Sequence, residues 1–440
     1  MKNLISCVLL LLAMLLPTQA MAYDFAVNGI YYNYCDGGSA VEVTISPDSY
    51  SGVVTIPDTV TYSGTTYSVI AIGSRAFHSC SSLTGVTIPN SVITIGNGAF
   101  TGCEGLTSLT VPDAVTTIGE LAFNLCRSLT SLTIGHSVTS IGREAFRACE
   151  SLTSVTIPNS VTEIGSMAFA DCSGLANLTI GTSVTTIGTS AFANCGRLTS
   201  IDIPNSVTTI GNFAFQNCGG LTSVTIGDSV TSIGSKAFQG CSGLTSVTFP
   251  NSVTAIGSSA FSGCSGLMSV TMPNALKYIY MYAFEGCSSL TSITIPGTVL
   301  TIGNGAFSQC SAMTDVYCYL TNLITVWVDT DIFYLSDGNY ASRTLHVLQG
   351  MAEDYQADEN WYPYFGQIVE DLKTDNQRGD VNGDGEVNIA DVNAVIDVIL
   401  GGNGEALAAD VNGDGEINIA DVNVLIGIIL GDEMELAKMC

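Results

Sequence analysis

The chain has 440 residues, with 12 Lys and Arg against 39 Asp and Glu, for a formal net charge of −27. That length holds more than one domain, and the acid excess excludes a basic face for nucleic acid or an anionic membrane. The acid is unevenly spread: 10 acidic against 6 basic side chains over Phe77–Ala312, 11 against 2 over Met313–Asn376, and 13 against 2 over Gln377–Cys440.

At the start, Lys2 precedes an apolar stretch from Leu4 to Leu16, and Ala20-Met21-Ala22 forms an A-x-A cleavage signal. Residues 1–22 therefore read as a signal peptide, with export and a mature protein beginning at Tyr23. The stretch is too short to span a bilayer comfortably. Cys7 precedes most of it and does not suit lipid attachment. No later run has the length of a membrane helix. Residues 23–76 read as an N-terminal β cap. Phe25 to Ile45 suggests strand-rich hairpins, Val54-Thr-Ile-Pro57 looks like a repeat strand, and a ten-residue insertion separates it from Val69-Ile-Ala-Ile72.

Residues 77–312 carry a strict 23-residue repeat. Phe recurs at 77, 100, 123 and on to 307, and Cys follows three residues later each time, from Cys80 to Cys310, through eleven copies without a frameshift. In one unit, Leu152, Val155 and Ile157 are predicted to point inward from a short strand, and Val161 and Ile164 continue the core. Ala168-Phe169 closes the turn on a short helical or 3-10 segment, with Cys172 behind it. A period in the twenties with Leu-x-x-Val/Leu-x-Ile marks a leucine-rich solenoid, whose single turns cannot bury their apolar residues alone. The pattern over Ser68–Cys318 resembles the BspA-like leucine-rich repeats of bacterial surface proteins.

The outward strand positions form a Thr-Ser-x-Thr carpet, as at Thr130, Ser131, Thr133 and at Thr222, Ser223, Thr225. This is either strand propensity on a solvated sheet or an extended surface whose weak contacts add up. One repeat departs: Lys277-Tyr-Ile-Tyr-Met-Tyr282 replaces Thr-x-Ile-Gly-x-x, so Tyr278, Tyr280 and Tyr282 form a possible ligand patch. Neighbouring cysteines of the column are close enough for disulfides, but eleven is odd and ladder side chains run parallel. A buried free-thiol ladder is the better reading. Cys35, Cys318 and Cys440 stay unassigned, and His78, His136 and His346 are too scattered for a tetrahedral metal site.

Residues 313–372 read as a C-terminal cap, with Val316 and Cys318 keeping the columns before the pattern decays at Asn322 and Thr325. Thr344-Leu-His-Val347, Gly350, Tyr355, Trp361, Phe365 and Ile368 resemble the terminal cap of the same family. A linker, 373–376, leads to residues 377–431, and 432–440 is a tail.

Two near-identical loops, Asp380–Asp391 and Asp410–Asp421, put oxygen ligands at loop positions 1, 3, 5, 9 and 12 with Gly385 and Gly415 at position 6. This is the calcium-loop pattern, with Asp where an EF-hand usually has Glu. The ligands are Asp380, Asn382, Asp384, Asn388 and Asp391 with the Glu386 carbonyl, then Asp410, Asn412, Asp414, Asn418 and Asp421 with the Glu416 carbonyl, for two Ca²⁺ ions. A helix follows each loop. Ile389, Val392, Val395, Ile396, Ile399 and Leu400 recur at helical spacing, as do Ile419, Val422, Leu425, Ile426, Ile429 and Leu430, and Gly401-Gly402 and Gly431 stop the helices. The segments before the loops are too short and polar for EF-hand entering helices. Together these features resemble a type I dockerin, a small all-α calcium-binding module. The resemblance implies a cohesin partner, met at loop positions 10 and 11: Ile389, Ala390, Ile419 and Ala420. Cellulosomal dockerins carry a polar pair there, which this chain lacks.

No catalytic motif is present: no G-x-S-x-G, no H-E-x-x-H and no phosphate-binding loop. The expectation is a secreted or cell-surface, non-catalytic protein whose solenoid serves adhesion to an unidentified protein or glycan. The dockerin is expected only to anchor it. The alternative is a non-catalytic component of an extracellular polysaccharide-degrading complex.

Overall fold

A computed structural model describes residues 23–321, 323, 327–373, 381, 387–401, 409–411 and 417–430. The signal-peptide reading at 1–22 and the tail at 432–440 lie outside the described residues, as do Asn322 and Thr325. The fold is a β-solenoid with a 23-residue period and a small helical C-terminal region. Two compact units divide between Leu198 and Thr199.

In the first unit, strands Phe25–Val27, Ile30–Cys35 and Ala40–Val43 form an antiparallel start. The last of them pairs in parallel with Thr65–Ile72, which leads into the two-residue strands Thr94–Ile95, Thr117–Ile118, Ser140–Ile141, Glu163–Ile164 and Thr186–Ile187. The insertion is a hairpin, Thr59–Tyr62 against Thr65–Ile72. The repeat-like strand Gly52–Thr55 pairs in parallel with Leu83–Thr87. The second unit repeats the two-residue strands from Thr209–Ile210 to Thr301–Ile302. Each turn thus has two strand faces. The longer ladder is formed by the Thr-x-Ile-Gly segment, which the sequence reading treated only as continued core.

The inward residues are as expected: Leu152, Val155, Ile157, Val161 and Ile164 are buried, and the Phe column is fully so. Its rings stack from Phe77 to Phe192 at 4.6–5.5 Å, with planes 5–9° apart. In the second unit Phe215 to Phe333 stack at 5.2–5.5 Å. Ring spacing follows strand spacing. Tyr50 meets Phe77 at 4.4 Å, and Trp361 meets Phe333 at 5.7 Å, so an aromatic residue from each cap covers an end of a stack.

The closing segment differs from the helical expectation. Between Gly165 and Cys172 it makes successive turns, with Ala168 N–H donating to Gly165 O and Ala170 N–H to Met167 O. The N–H groups of Met167, Phe169 and Asp171 donate instead to Thr189, Ala191 and Ala193 of the next turn, all at 2.8 Å. Donors spent between turns cannot serve a helix. Met167 and Asp171 also sit at φ 57° and 61°, outside the right-handed region a helix requires.

Among the described residues the cysteines form no disulfide, and the position of the column gives it a task. Beyond Cys80, which accepts the Tyr50 N–H at 3.3 Å, thiols of the column lie against the Phe carbonyl of the preceding turn: Cys103 Sγ is 3.1 Å from Phe77 O, and Cys172 Sγ 3.2 Å from Phe146 O. In the second unit Cys264 Sγ is 3.2 Å from Phe238 O, and Cys310 Sγ 3.2 Å from Phe284 O. These carbonyls also accept a backbone N–H, as Phe146 O does from Cys149 at 3.4 Å, so the column adds a second donor as well as volume. Burial pushes the Cys126 and Cys264 thiols up to about 12, which keeps them protonated donors at neutral pH.

The Leu-Thr-Ser-x-Thr strands pair in twos, Ser154–Thr156 with Asn177–Thr179 and Ser200–Asp202 with Ser223–Thr225. Each of these pairs joins a turn with Pro-Asn to the following turn with Gly. Asn159 Oδ1 accepts the Thr182 N–H at 2.9 Å, and Asn205 Oδ1 accepts the Asp228 N–H at 3.0 Å. Gly181 is required at this step: a Cβ there would lie 2.3 Å from Pro158 O.

The C-terminal cap adds strands Asp315–Cys318, Thr344–Leu348 and Gln367–Leu372 in parallel, with helix Ala352–Ala357 between the last two. Arg343 is buried, donating to the carbonyls of Met313, Phe333 and Cys310 and lying over the Phe333 and Tyr340 rings. Desolvation lowers its pKa from the ordinary arginine value. It ties together buried carbonyls at the end of the stack.

Three outcomes test this packing. Gly181→Ala should lose about 1–3 kcal/mol in chemical denaturation through overpacking, while Gly196→Ala, where a Cβ meets nothing within 4 Å, should stay within about 0.5 kcal/mol of wild type. Cys172→Ala, which leaves the Phe146 carbonyl with the Cys149 N–H alone, should lose about 0.5–1.5 kcal/mol through the missing hydrogen bond. Thiol labelling should find the column unreactive in native protein and reactive after denaturation; few thiols after denaturation would show bridging instead.

Candidate metal centre and binding faces

The helices Ile389–Ile399 and Ile419–Leu430 begin where the two acidic loops end. Asn388 caps the first: its Oδ1 accepts the Ala390 N–H at 2.8 Å, while Asp391 Oδ2 accepts the Asn388 N–H at 2.8 Å. The second start is the same, with Asn418 Oδ1 taking the Ala420 N–H and Asp421 Oδ2 taking the Asn418 N–H, both at 2.8 Å. Loop positions 9 and 12 are thus also a reciprocal helix cap. The short Asp at position 12 is held by the backbone it caps.

Both Asp391 and Asp421 have no exposed surface. Burying two carboxylates calls for compensating positive charge. Over Gln377–Cys440 the chain has only Arg378 and Lys438. A hard divalent cation fits this all-oxygen donor set. Asn388, Asp410 and Asn418, all half-buried, are the other described candidate ligands. Asp380, Asn382, Asp384, Glu386, Asn412, Asp414 and Glu416 lie outside the described residues.

The helical spacing was legible, but the buried face is narrower than expected. Val392, Val395, Val422 and Leu425 join Val381, Ala409 and Val411 in one cluster. Ile389 and Ile419 are 68% and 67% exposed, and Ile396, Ile399, Leu400 and Ile426 are exposed as well. The helix faces bearing them exceed what a core this small can cover. The first helix stops at Gly401, in the left-handed region at φ 89°.

On the solenoid, many carpet hydroxyls are spent on the backbone. Thr130 and Thr222 donate to the Thr107 and Thr199 carbonyls of the preceding turn, at 3.0 and 2.9 Å. On the other strand face Thr139, Thr162 and Thr185 do the same to Thr116, Thr139 and Thr162. Tyr278, Tyr280 and Tyr282 are 36%, 43% and 37% exposed, and the first two rings lie 6.1 Å apart with planes 16° from parallel.

Two charged groupings were missed. Glu104, Arg127 and Glu150 stand 23 residues apart, and Arg127 pairs with both acids. Beside them Arg147 bonds Asp171 and Glu144, each at 3.0 Å, which raises its pKa through Asp171 first and Glu144 second. Alternating charge at the repeat spacing was the available signal. In the cap, His346 Nδ1 lies 2.7 Å from Asp371 and Nε2 3.1 Å from Asp315, with its ring stacked on Tyr317 at 4.4 Å. Both nitrogens are engaged across three strands, which makes this a clamp and not a poised base.

No helix among the described residues is long and apolar enough to cross a membrane. A family model for the BspA type leucine rich repeat region matches residues 70–198 and 185–314, and the type I dockerin domain model matches 378–430. Type I dockerin domains bind calcium, and both families are generally non-catalytic. No curated protein matches the chain. A leucine-rich repeat protein from Bacteroides ovatus is similar at 28% identity and a TM-score of 0.54, over 79% of this chain and 100% of its own. A leucine rich cell surface protein from Faecalibacterium prausnitzii is 30% identical over 67% of this chain and 94% of its own, with a TM-score of 0.41. A T. pallidum leucine rich repeat protein is 28% identical over 50% of this chain and 90% of its own, with a TM-score of 0.39. The chain therefore belongs to the BspA-type leucine-rich repeat family and carries a C-terminal type I dockerin domain.

Proposed function

We propose that this protein is an exported, non-catalytic binding protein: the solenoid meets a ligand, and the dockerin, folded on two Ca²⁺ ions, ties it to a cohesin-bearing partner. The observation that carries the reading is the pairing of a long repeat surface with two equivalent loop ends, each built around a fully buried carboxylate. Asp380, Asn382, Asp384, Asn388, Asp391 and the Glu386 carbonyl would hold one ion. Asp410, Asn412, Asp414, Asn418, Asp421 and the Glu416 carbonyl would hold the other. The ions supply charge compensation, and binding free energy becomes folding free energy in a domain with so small a core.

The cohesin contact is proposed at Ile389, Ala390, Ile419 and Ala420. Two exposed isoleucines at equivalent helix starts are unusual side chains to leave in water, and their duplication gives the partner two alternative apolar footholds. The leader at residues 1–22 supports export. An extracellular setting also suits loops that need free calcium.

A second reading is favoured by the dockerin itself: a non-catalytic part of an extracellular polysaccharide-degrading assembly. The two readings differ in what the cohesin partner carries, and capture of that partner from the producing organism, followed by its identification, separates them.

Full-length protein should be captured by its cohesin partner in calcium and released by chelator. Asp384→Ala with Asp414→Ala should abolish capture while leaving solenoid stability unchanged. Ile389→Ser with Ile419→Ser should weaken capture about ten-fold or more, the scale expected for two lost apolar anchors, with calcium affinity retained. Capture that persists in chelator would remove the calcium-dependent anchor from the account.

A further inference from the structure

The turn containing Tyr278, Tyr280 and Tyr282 breaks a rule that the neighbouring turns of the second unit keep. Position 280 belongs to a column that is Gly at 234, 257 and 303. At those glycines a Cβ would meet backbone of the preceding turn at 2.6, 2.7 and 2.5 Å. Tyr280 nevertheless keeps the column's bond, its N–H donating to Ile256 O at 3.0 Å, as Gly257 does to Ile233 and Gly303 to Ile279. A large residue has thus been placed where the stack disfavours any side chain, and its ring is left in water. Choices that break a local rule without a packing gain point to function.

The next turn makes room for the third ring. Tyr282 sits at φ 59°, in a left-handed position held by Phe213, Lys236, Ser259 and Gly305 in other turns. A Cβ on Gly305 would lie 2.6 Å from the Tyr282 ring, so Gly305 clears the space that ring covers. Small residues flank the other two as well. Ala255 and Thr301 pair with Tyr278 on either side, and Gly257 and Gly303 hold the same column as Tyr280. The phenol rings therefore rise from a low floor, with Tyr278 and Tyr280 nearly parallel.

We infer that this tyrosine platform binds a neutral polysaccharide chain, an inference that rests on reading the solenoid as the ligand-binding half. Pyranose rings present flat C–H faces that pack on aromatic faces, and rims of hydroxyls that need donors and acceptors. A tyrosine supplies the apolar body and the polar tip together. Two near-parallel faces in sequence suit successive sugars of one chain. Charge is nearly absent here: Lys277 borders the platform, and the one acidic residue of the turn, Glu285, accepts a hydrogen bond from the Ser262 hydroxyl at 3.2 Å. A neutral ligand is the complement.

The test uses full-length protein in native affinity electrophoresis through gels holding mixed-linkage β-glucan, xylan, mannan or starch, with calorimetry on a hexasaccharide of whichever polymer retards it. The variant Tyr278→Thr, Tyr280→Gly, Tyr282→Ser takes each residue from a neighbouring turn, so the fold has precedent for every substitution. Retardation of wild type by at least one polymer is expected, with affinity falling about ten-fold in the variant, the scale for losing two or three aromatic contacts. Calcium-dependent cohesin capture by the variant should be unchanged, which keeps this result separate from the anchoring proposal. Single Tyr280→Trp should bind at least as well as wild type. No retardation by any of the four polymers, or equal binding by the triple variant, would overturn the inference, as would a ligand on these tyrosines that proves to be a protein.

Discussion

Close approach of one turn's backbone to the next is the constraint on which the rest depends. Within the solenoid, N–H groups of the closing segment donate forward to the following turn, as Phe169 does to Ala191 at 2.8 Å. That distance allows no Cβ at Gly165 or Gly181, where one would meet backbone at 2.7 and 2.3 Å. It also puts thiols within reach of Phe carbonyls, as at Cys172 and Phe146, and threonine hydroxyls within reach of the preceding strand, as at Thr130 and Thr107. Phe, Cys, Gly and Thr recur every 23 residues because they answer the same backbone requirement at successive steps.

This constraint limits what the solenoid can offer a ligand. A surface hydroxyl that closes a carbonyl is not free to specify a partner, so much of the threonine carpet serves register. Chemical individuality appears only where the repeat is broken: the ion pairs around Arg127 and Arg147, the clamp of His346 between Asp315 and Asp371, and the tyrosines of the turn at 278–282. The first two are closed upon themselves. The third leaves its rings in water.

The C-terminal module solves the same problem of a small core by other means. Its two helices share one cluster of Val, Leu and Ala side chains, too few to hold a segment so acidic. The carboxylates that strain it electrostatically are also the residues that cap its helices, so an ion bound at the loop would stabilise charge and helix start together.

Much of this was legible in the sequence, because period and composition report directly on stacking: the Phe and Cys columns, the inward Leu, Val and Ile, and the paired acidic loops. The closing segment was misread because Ala-Phe between small residues looks helical, and nothing in the residue types says that alternate N–H groups are given to the next turn. The Thr-x-Ile-Gly strand was passed over because two residues are too few for a periodicity. Ile396 and Leu400 recur at helical spacing yet stay exposed, because spacing alone does not reveal how little there is to pack against. Stacking holds the solenoid, and calcium is proposed to hold the module, each without the other. Differential scanning calorimetry of the full chain with calcium and with chelator tests this most directly. Two transitions are predicted, of which chelation lowers or abolishes one and leaves the other in place. A single transition that moves as a whole with calcium would contradict the account.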